Sequence, residues 1–217
     1  ERAQKTVVGR LMIERGIAML SPEDSRLPDS ILLEPDSVGK AKPGQVVLAQ
    51  IDAYPDAHRP AVASVVEVLG NYADSGMEIE IAVRQHHLPH QFSTACEKAA
   101  AKIPSAVRKT DLKGREDLRD LPLVTIDGES SRDFDDAVYA EKQGRNFRLV
   151  VAIADVSHYV KPQDAIDTDA LDRATSVYFP RRVIPMLPES LSNGICSLNP
   201  DVDRLCMVCD MVFTYAG

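Results

Sequence analysis

Short apolar runs parted by turn residues fill the first third of this chain and leave no room there for a long helix. The runs cover residues 6–13, 16–20, 30–34, 45–52, 61–69 and 78–83. Between them lie Glu14-Arg-Gly16, Ser21-Pro-Glu-Asp24, Lys42-Pro-Gly44 and Asn71-Tyr-Ala-Asp74. Strands of this length at this spacing predict a small closed barrel of the OB type over residues 1–90. Such barrels often bind single-stranded nucleic acid through exposed aromatic and basic side chains. Here Tyr54, Tyr72 and a few cations are available, so a structural barrel and an RNA-binding one remain equally open. His86, His87 and His90 could suggest a metal site, but Pro89 prevents a helical arrangement, and a solvated loop is expected.

Residues 91–120 read as a helix and a basic connector, whose mixed-charge run over 109–120 is expected to be solvated. Ser93 is placed to cap a helix over residues 94–103, which Pro104 stops. This segment carries seven basic and five acidic side chains, whereas the chain as a whole has a net charge of −8. That balance argues against nucleic acid held by bulk charge and leaves room for a local cationic groove or for carboxylates neutralised by metal. Cys96, Cys196, Cys206 and Cys209 read as scattered thiols. Cys206 and Cys209 have the spacing of a zinc pair, but they fall in a strand-like run over 205–213, where positions three apart face opposite ways. Both are expected in a buried core. No signal peptide or membrane-length apolar segment is visible, and the start at Glu1 without Met and the apolar run close to Gly217 predict a piece of a longer protein.

The chemistry concentrates in Asp127, Glu129, Asp133, Asp135 and Asp136, five carboxylates in ten residues. Two expected strands flank them, residues 121–126 and the first arm of a hairpin over 137–155, which residues 157–160 continue. Like charge at this density is unfavourable unless water or a cation relieves it. A hard divalent cation takes carboxylate oxygens, yet the spacing fails the EF-hand pattern, with Val138 and Gly144 where Gly and Glu are needed. Phe134 among the aspartates predicts a loop anchored to a core with its carboxylates held inward. Metal-assisted phosphoryl chemistry and a solvated acidic loop both remain open on these grounds. Farther on, residues 167–173 supply capping groups and a short helix, 176–179 an extended piece, and Pro180, Pro185, Pro188 and Pro200 an irregular segment.

Several of these stretches together resemble the RNB exoribonucleases. They are residues 117–129, Arg132-Asp-Phe-Asp-Asp-Ala-Val-Tyr139, Val151-Ala-Ile-Ala-Asp-Val-Ser-His-Tyr-Val160, Thr175-Ser-Val-Tyr-Phe-Pro180, Val183-Ile-Pro-Met-Leu-Pro188 and Leu191-Ser-Asn-Gly-Ile-Cys-Ser-Leu-Asn-Pro200. Val7-Val-Gly-Arg10 and residues 61–70 resemble the second cold-shock domain of the same family. The resemblance implies an α+β, mainly β chain: a cold-shock barrel over 1–90, the connector 91–120, and the N-terminal part of a mixed α/β RNB domain over 121–217. It implies processive 3′→5′ hydrolysis of RNA to nucleoside 5′-monophosphates with Mg²⁺, acting on single-stranded 3′ ends in a cytoplasmic monomer. Asp127, Asp133, Asp135 and Asp136 take the positions of the metal-site aspartates, and Tyr178 that of an aromatic stacked on the 3′-terminal base. Ser130 and Ser131 depart from the usual Asp-Ala, with little effect expected. The family's catalytic arginine and S1 domain are expected beyond Gly217, so residues 1–217 alone are expected to be nearly inactive. An RNA-binding module with a vestigial metal site is the alternative.

Overall fold

In the computed structural model, which describes residues 5–129 and 131–216, the chain divides into two compact units, Glu1–His90 and Gln91–Gly217. The first is a five-stranded closed barrel. Its strands are β1 (Thr6–Glu14), β2 (Ile17–Pro22), β3 (Ile31–Leu33), β4 (Gln45–Ala53) and β5 (Val62–Asn71), ordered β1-β2-β3-β5-β4. All pairings are antiparallel except β3 with β5. Alternation along the strands sends Val7, Leu11, Val47 and Ala49 into the interior, with Leu20, Ile31, Leu33 and Ala63. Gly9 sits between the inward Val7 and Leu11 where β2 comes close. A Cβ there would lie 2.3 Å from the Ser21 carbonyl oxygen.

The expected sixth strand, residues 78–83, is a helix instead, α1 (Met77–Gln85). The alternation of Glu78, Ile79, Glu80 and Ile81 suits a strand, but two local features favour the helix. Gly76 adopts the left-handed conformation at its N-terminus, and Glu80 pairs with Arg84 one turn on. Arg84 also binds Glu67 of β5 at 2.7 Å. Met77 packs with Val8 and Val46, outside the main barrel core.

The second unit joins small helices to two sheets. Helix α2 (Thr94–Ala100) begins as expected at Ser93, whose hydroxyl accepts from the Cys96 N–H at 3.1 Å. Strands β6 (Asp136–Gln143) and β7 (Asn146–Ala154) form the expected hairpin, and β10 (Cys206–Phe213) adds beside β7. Residues 157–160 do not continue the hairpin. Residues 157–159 belong to a turn of helix, α3 (Val156–Tyr159), which Val160 follows in extended form, because the Asp155 carboxylate caps it by accepting from the His158 N–H. Helix α4 (Ala165–Arg173) is capped by Asp164, ahead of the expected Asp167. A short hairpin, β8 (Val177–Phe179) with β9 (Arg182–Ile184), and a π-helical turn, Ser190–Ile195, occupy the expected irregular segment. The core here unites Cys96, Ala100, Val160, Ile166, Leu191, Ile195 and Cys196.

Three further expectations are corrected. Residues 121–126 form no strand. They touch the sheet only through a bridge from Val124 to Val138, and Ile126 is exposed. Cys209 is exposed and Cys206 half-buried, because neither face of β10 is covered along most of its length. Finally, the connector is not wholly solvated. Asp111 is buried against Arg108, and Arg115 reaches the buried Asp155 at 2.6 Å. Among the described residues no helix is long and apolar enough to cross a membrane.

Candidate active site

Three attachments build the carboxylate loop. At its start, Val124 and Val138 exchange backbone hydrogen bonds of 3.0 and 2.8 Å, fixing the chain three residues before Asp127. At its end, the Ala154 N–H donates to the Asp135 carbonyl at 2.9 Å, and Asp136 opens β6 opposite Ile153. Between them, the Ser197 hydroxyl donates to the Arg132 carbonyl at 2.8 Å and accepts from the Phe134 N–H at 3.0 Å. The Leu198 N–H adds a bond to the Phe134 carbonyl at 2.9 Å. The loop is therefore anchored, as the half-buried Phe134 implied. Its carboxylates are not held inward, however: Asp133 is half-buried, while Asp127, Asp135 and Asp136 are exposed. Burying several unpaired anions together costs too much.

Asp133 is held on both oxygens. Tyr178, in the middle of β8, donates its hydroxyl to Oδ2, and Ser131 donates to Oδ1 at 3.2 Å. Burial alone would raise the Asp133 carboxyl; the donated hydrogen bonds, that from Tyr178 foremost, hold it below the usual range. The same bond to Asp133, with burial second, pushes the Tyr178 phenol up to about 12. Asp135 behaves in the opposite way. Crowding by neighbouring atoms raises its carboxyl even though the residue keeps an open face, and the charges of Asp133, Asp136 and Asp127 raise it further. Asp135 thus feels all three other aspartates. Among the described residues no hydrogen bond of the kind that steadies Asp133 opposes that effect.

The structure brings the four aspartates within electrostatic range, but among the described residues no three acidic, His or Cys side chains close into a ready coordination group. By chemistry the set suits Mg²⁺ or a similar hard cation, which takes carboxylate oxygens and would relieve the repulsion at Asp135. Beside the loop opens a cleft of about 390 Å³ lined by Glu129, Ser131, Arg132, Phe134, Asn193 and Asn199. Tyr178 is 62% exposed, so its ring remains accessible while its hydroxyl is engaged.

A family model described as the RNB domain matches residues 115–217, the whole of this loop and the segment that grips it. A cold shock domain model matches residues 20–93. Residues 115–217 are an RNB-domain segment. The chain is 52% identical over 212 residues to Ribonuclease R of Escherichia coli strain K12, which covers 97% of this chain and 26% of that relative. Ribonuclease R of Acidithiobacillus ferrooxidans is 52% identical over the full chain, covering 50% of the relative. Among solved structures, Mycoplasma genitalium RNase R in complex with double-stranded RNA superposes with a TM-score of 0.91 at 32% identity, over 99% of this chain and 38% of that one. The chain therefore spans about a quarter of the first relative's length and half of the second's.

Within this RNB segment, two residues matter that sequence reasoning missed. Ser131 was expected to have little effect, yet it touches Asp133. Ser130 lies outside the described residues. Ser197 falls inside a stretch that resembles the family, but neither its spacing nor its chemistry indicates that it reaches back to residues 132–134. Only the fold connects them.

Proposed function

We propose that the longer protein of which this chain is a piece is a Mg²⁺-dependent 3′→5′ exoribonuclease that hydrolyses RNA processively to nucleoside 5′-monophosphates, with residues 1–217 alone nearly inactive. The observation that carries this reading is the coupling of Asp135 to Asp127, Asp133 and Asp136 within the RNB-matched region. Relatives named Ribonuclease R and the fold shared with an RNase R bound to RNA support the substrate class. Asp127, Asp133, Asp135 and Asp136 would hold the cation. A bound divalent ion supplies an activated water and stabilises charge on the scissile phosphate and the leaving oxygen. The chain's own part is to orient that ion. Tyr178 and Ser131 fix Asp133 through its two oxygens, and the bonds from Ser197, Leu198 and Ala154 fix the backbone on which Asp133 and Asp135 sit. The exposed Tyr178 ring offers a stacking face for the 3′-terminal base, a contact indifferent to base identity. A single-stranded 3′ end, a monomeric state and a cytoplasmic location go with this reading.

The test is release of mononucleotides from a 3′-tailed RNA by the full-length protein, not residues 1–217 alone, with Mg²⁺. Asp135→Asn should abolish release while leaving RNA binding, measured by filter retention, within a few-fold (about threefold) of wild type. Full hydrolysis by Asp135→Asn would refute the catalytic role, and binding without hydrolysis in the wild type would favour a vestigial site.

A further inference from the structure

We propose that Ser197 is a positioning residue for the metal-binding loop, its one hydroxyl setting the backbone on both sides of Asp133. The inference rests on the metal-dependent reading above and adds to it a residue that touches neither cation nor substrate. Ser197 is fully buried, with 0% of its surface exposed. Its Oγ donates to the Arg132 carbonyl and accepts from the Phe134 N–H, at 2.8 and 3.0 Å. The residue between those two groups is Asp133, so both peptide links that aim its carboxylate are held by a single atom. The next residue's N–H, from Leu198, takes the Phe134 carbonyl at 2.9 Å, which extends the grip to the peptide leading into Asp135.

Ser197 is itself held at its backbone. Its N–H donates to the Gly194 carbonyl at 3.1 Å, and Arg204 Nε donates to the carbonyls of Gly194 and Ser197 at 3.1 and 2.8 Å. A guanidinium thus ties the end of the π-helical turn to the point from which Ser197 reaches the loop. Removing the hydroxyl leaves two part-buried backbone groups without their partner, and the loop must shift to satisfy them. A shift there moves ligands, not substrate contacts. Residues that orient ligands without touching the ion typically cost 10- to 100-fold in metal affinity or activity when lost.

The experiment compares wild type, Ser197→Ala and Ser197→Thr in the full-length protein, by Mg²⁺ titration calorimetry, RNA hydrolysis and backbone amide exchange. For Ser197→Ala the half-saturating Mg²⁺ should rise about 10- to 100-fold and kcat should fall, with KM for RNA unchanged. Ser197→Thr, which retains the hydroxyl, should recover most of the loss. Unchanged Mg²⁺ affinity and kcat in a folded Ser197→Ala would overturn the proposal. The exchange measurement stands even if no variant folds: the Phe134 amide of the wild type should be as protected as those of β7, and rapid exchange would overturn the proposal. A wild type that binds Mg²⁺ but hydrolyses no RNA would defeat the functional reading alone, leaving the calorimetric comparison to judge Ser197.

Discussion

Tyr178 presents two surfaces with separable jobs, a hydroxyl on Asp133 and an exposed ring. Tyr178→Phe removes only the first. We expect kcat to fall about tenfold, the low end for a residue that steadies a metal ligand, with KM for RNA nearly unchanged. Tyr178→Ala should also raise KM, since stacking on one base contributes about 1–3 kcal/mol. Steady-state kinetics on a 3′-tailed RNA separate the two, and equal KM effects would deny the ring its role. The sequence made this site half legible. Four aspartates announce their chemistry by type and spacing, whatever the fold. A hydroxyl at Ser131 or Ser197 announces nothing, because Ser serves equally well in caps, turns and cores, and its partner can be more than sixty positions away. That Asp133 is hydrogen-bonded while Asp135 is left to its like-charged neighbours is likewise a property of distances, not of residue types.

At the scale of elements, the close approach of β1 and β2 depends on Gly9. A Cβ at that position would meet backbone, the Ser21 carbonyl at 2.3 Å and the Pro22 Cα at 2.9 Å, so the strands would have to part. Gly9→Ala should destabilise the barrel by about 1–3 kcal/mol, the usual cost of overpacking, seen as a lower urea midpoint with unchanged slope. The barrel strands were readable because alternating side chains and turn residues agree. Helix α1 was not, because Glu78-Ile-Glu-Ile81 alternates by accident of composition. What decides its form is Gly76 and the Glu80–Arg84 pair, read together with Glu67 on another strand. Similarly, the apolar character of residues 205–213 gave the strand but not its exposure, since a strand with covered faces and one with open faces can share a composition.

Across the whole molecule, both units carry carboxylates that folding holds in the charged form. In the barrel, Asp24 is lowered to about 2, first by the Arg26 side chain and then by the Arg26 N–H. In the second unit, Asp155 is also lowered: burial opposes this, but the Ser157 hydroxyl and Arg115 prevail. A carboxyl depressed by folding stabilises fully above its unfolded value, near 3.9, and loses that contribution as pH falls through the folded value. The barrel should therefore weaken as pH drops from about 4 toward about 2 and the second unit as pH falls below about 4, and Asp24→Asn should flatten the barrel's part of that decline. Asp135 has the opposite sign, since its raised carboxyl favours the folded state as it gains a proton. Peptide-resolved amide exchange between pH 2 and 5 distinguishes the two units. A barrel whose protection ignores pH in that range would contradict the role of Asp24.

The bridge from Val124 to Val138 has a thermodynamic consequence. It ties Asp127 to β6, the strand that begins at Asp136, and Ala154 at the end of β7 holds the carbonyl of Asp135. All of these carboxylates hang on one hairpin. Opening the hairpin disperses them together, so on the proposed reading cation occupancy and hairpin opening would be linked equilibria. An ion that binds only the closed form raises the opening free energy by RT ln(1 + [Mg²⁺]/Kd), about 2.7 kcal/mol at a hundredfold excess over Kd. Such an ion would be a clasp on the fold as well as a participant in the proposed chemistry, and the β6–β7 segment should be the part of the chain whose breathing slows most when magnesium is added.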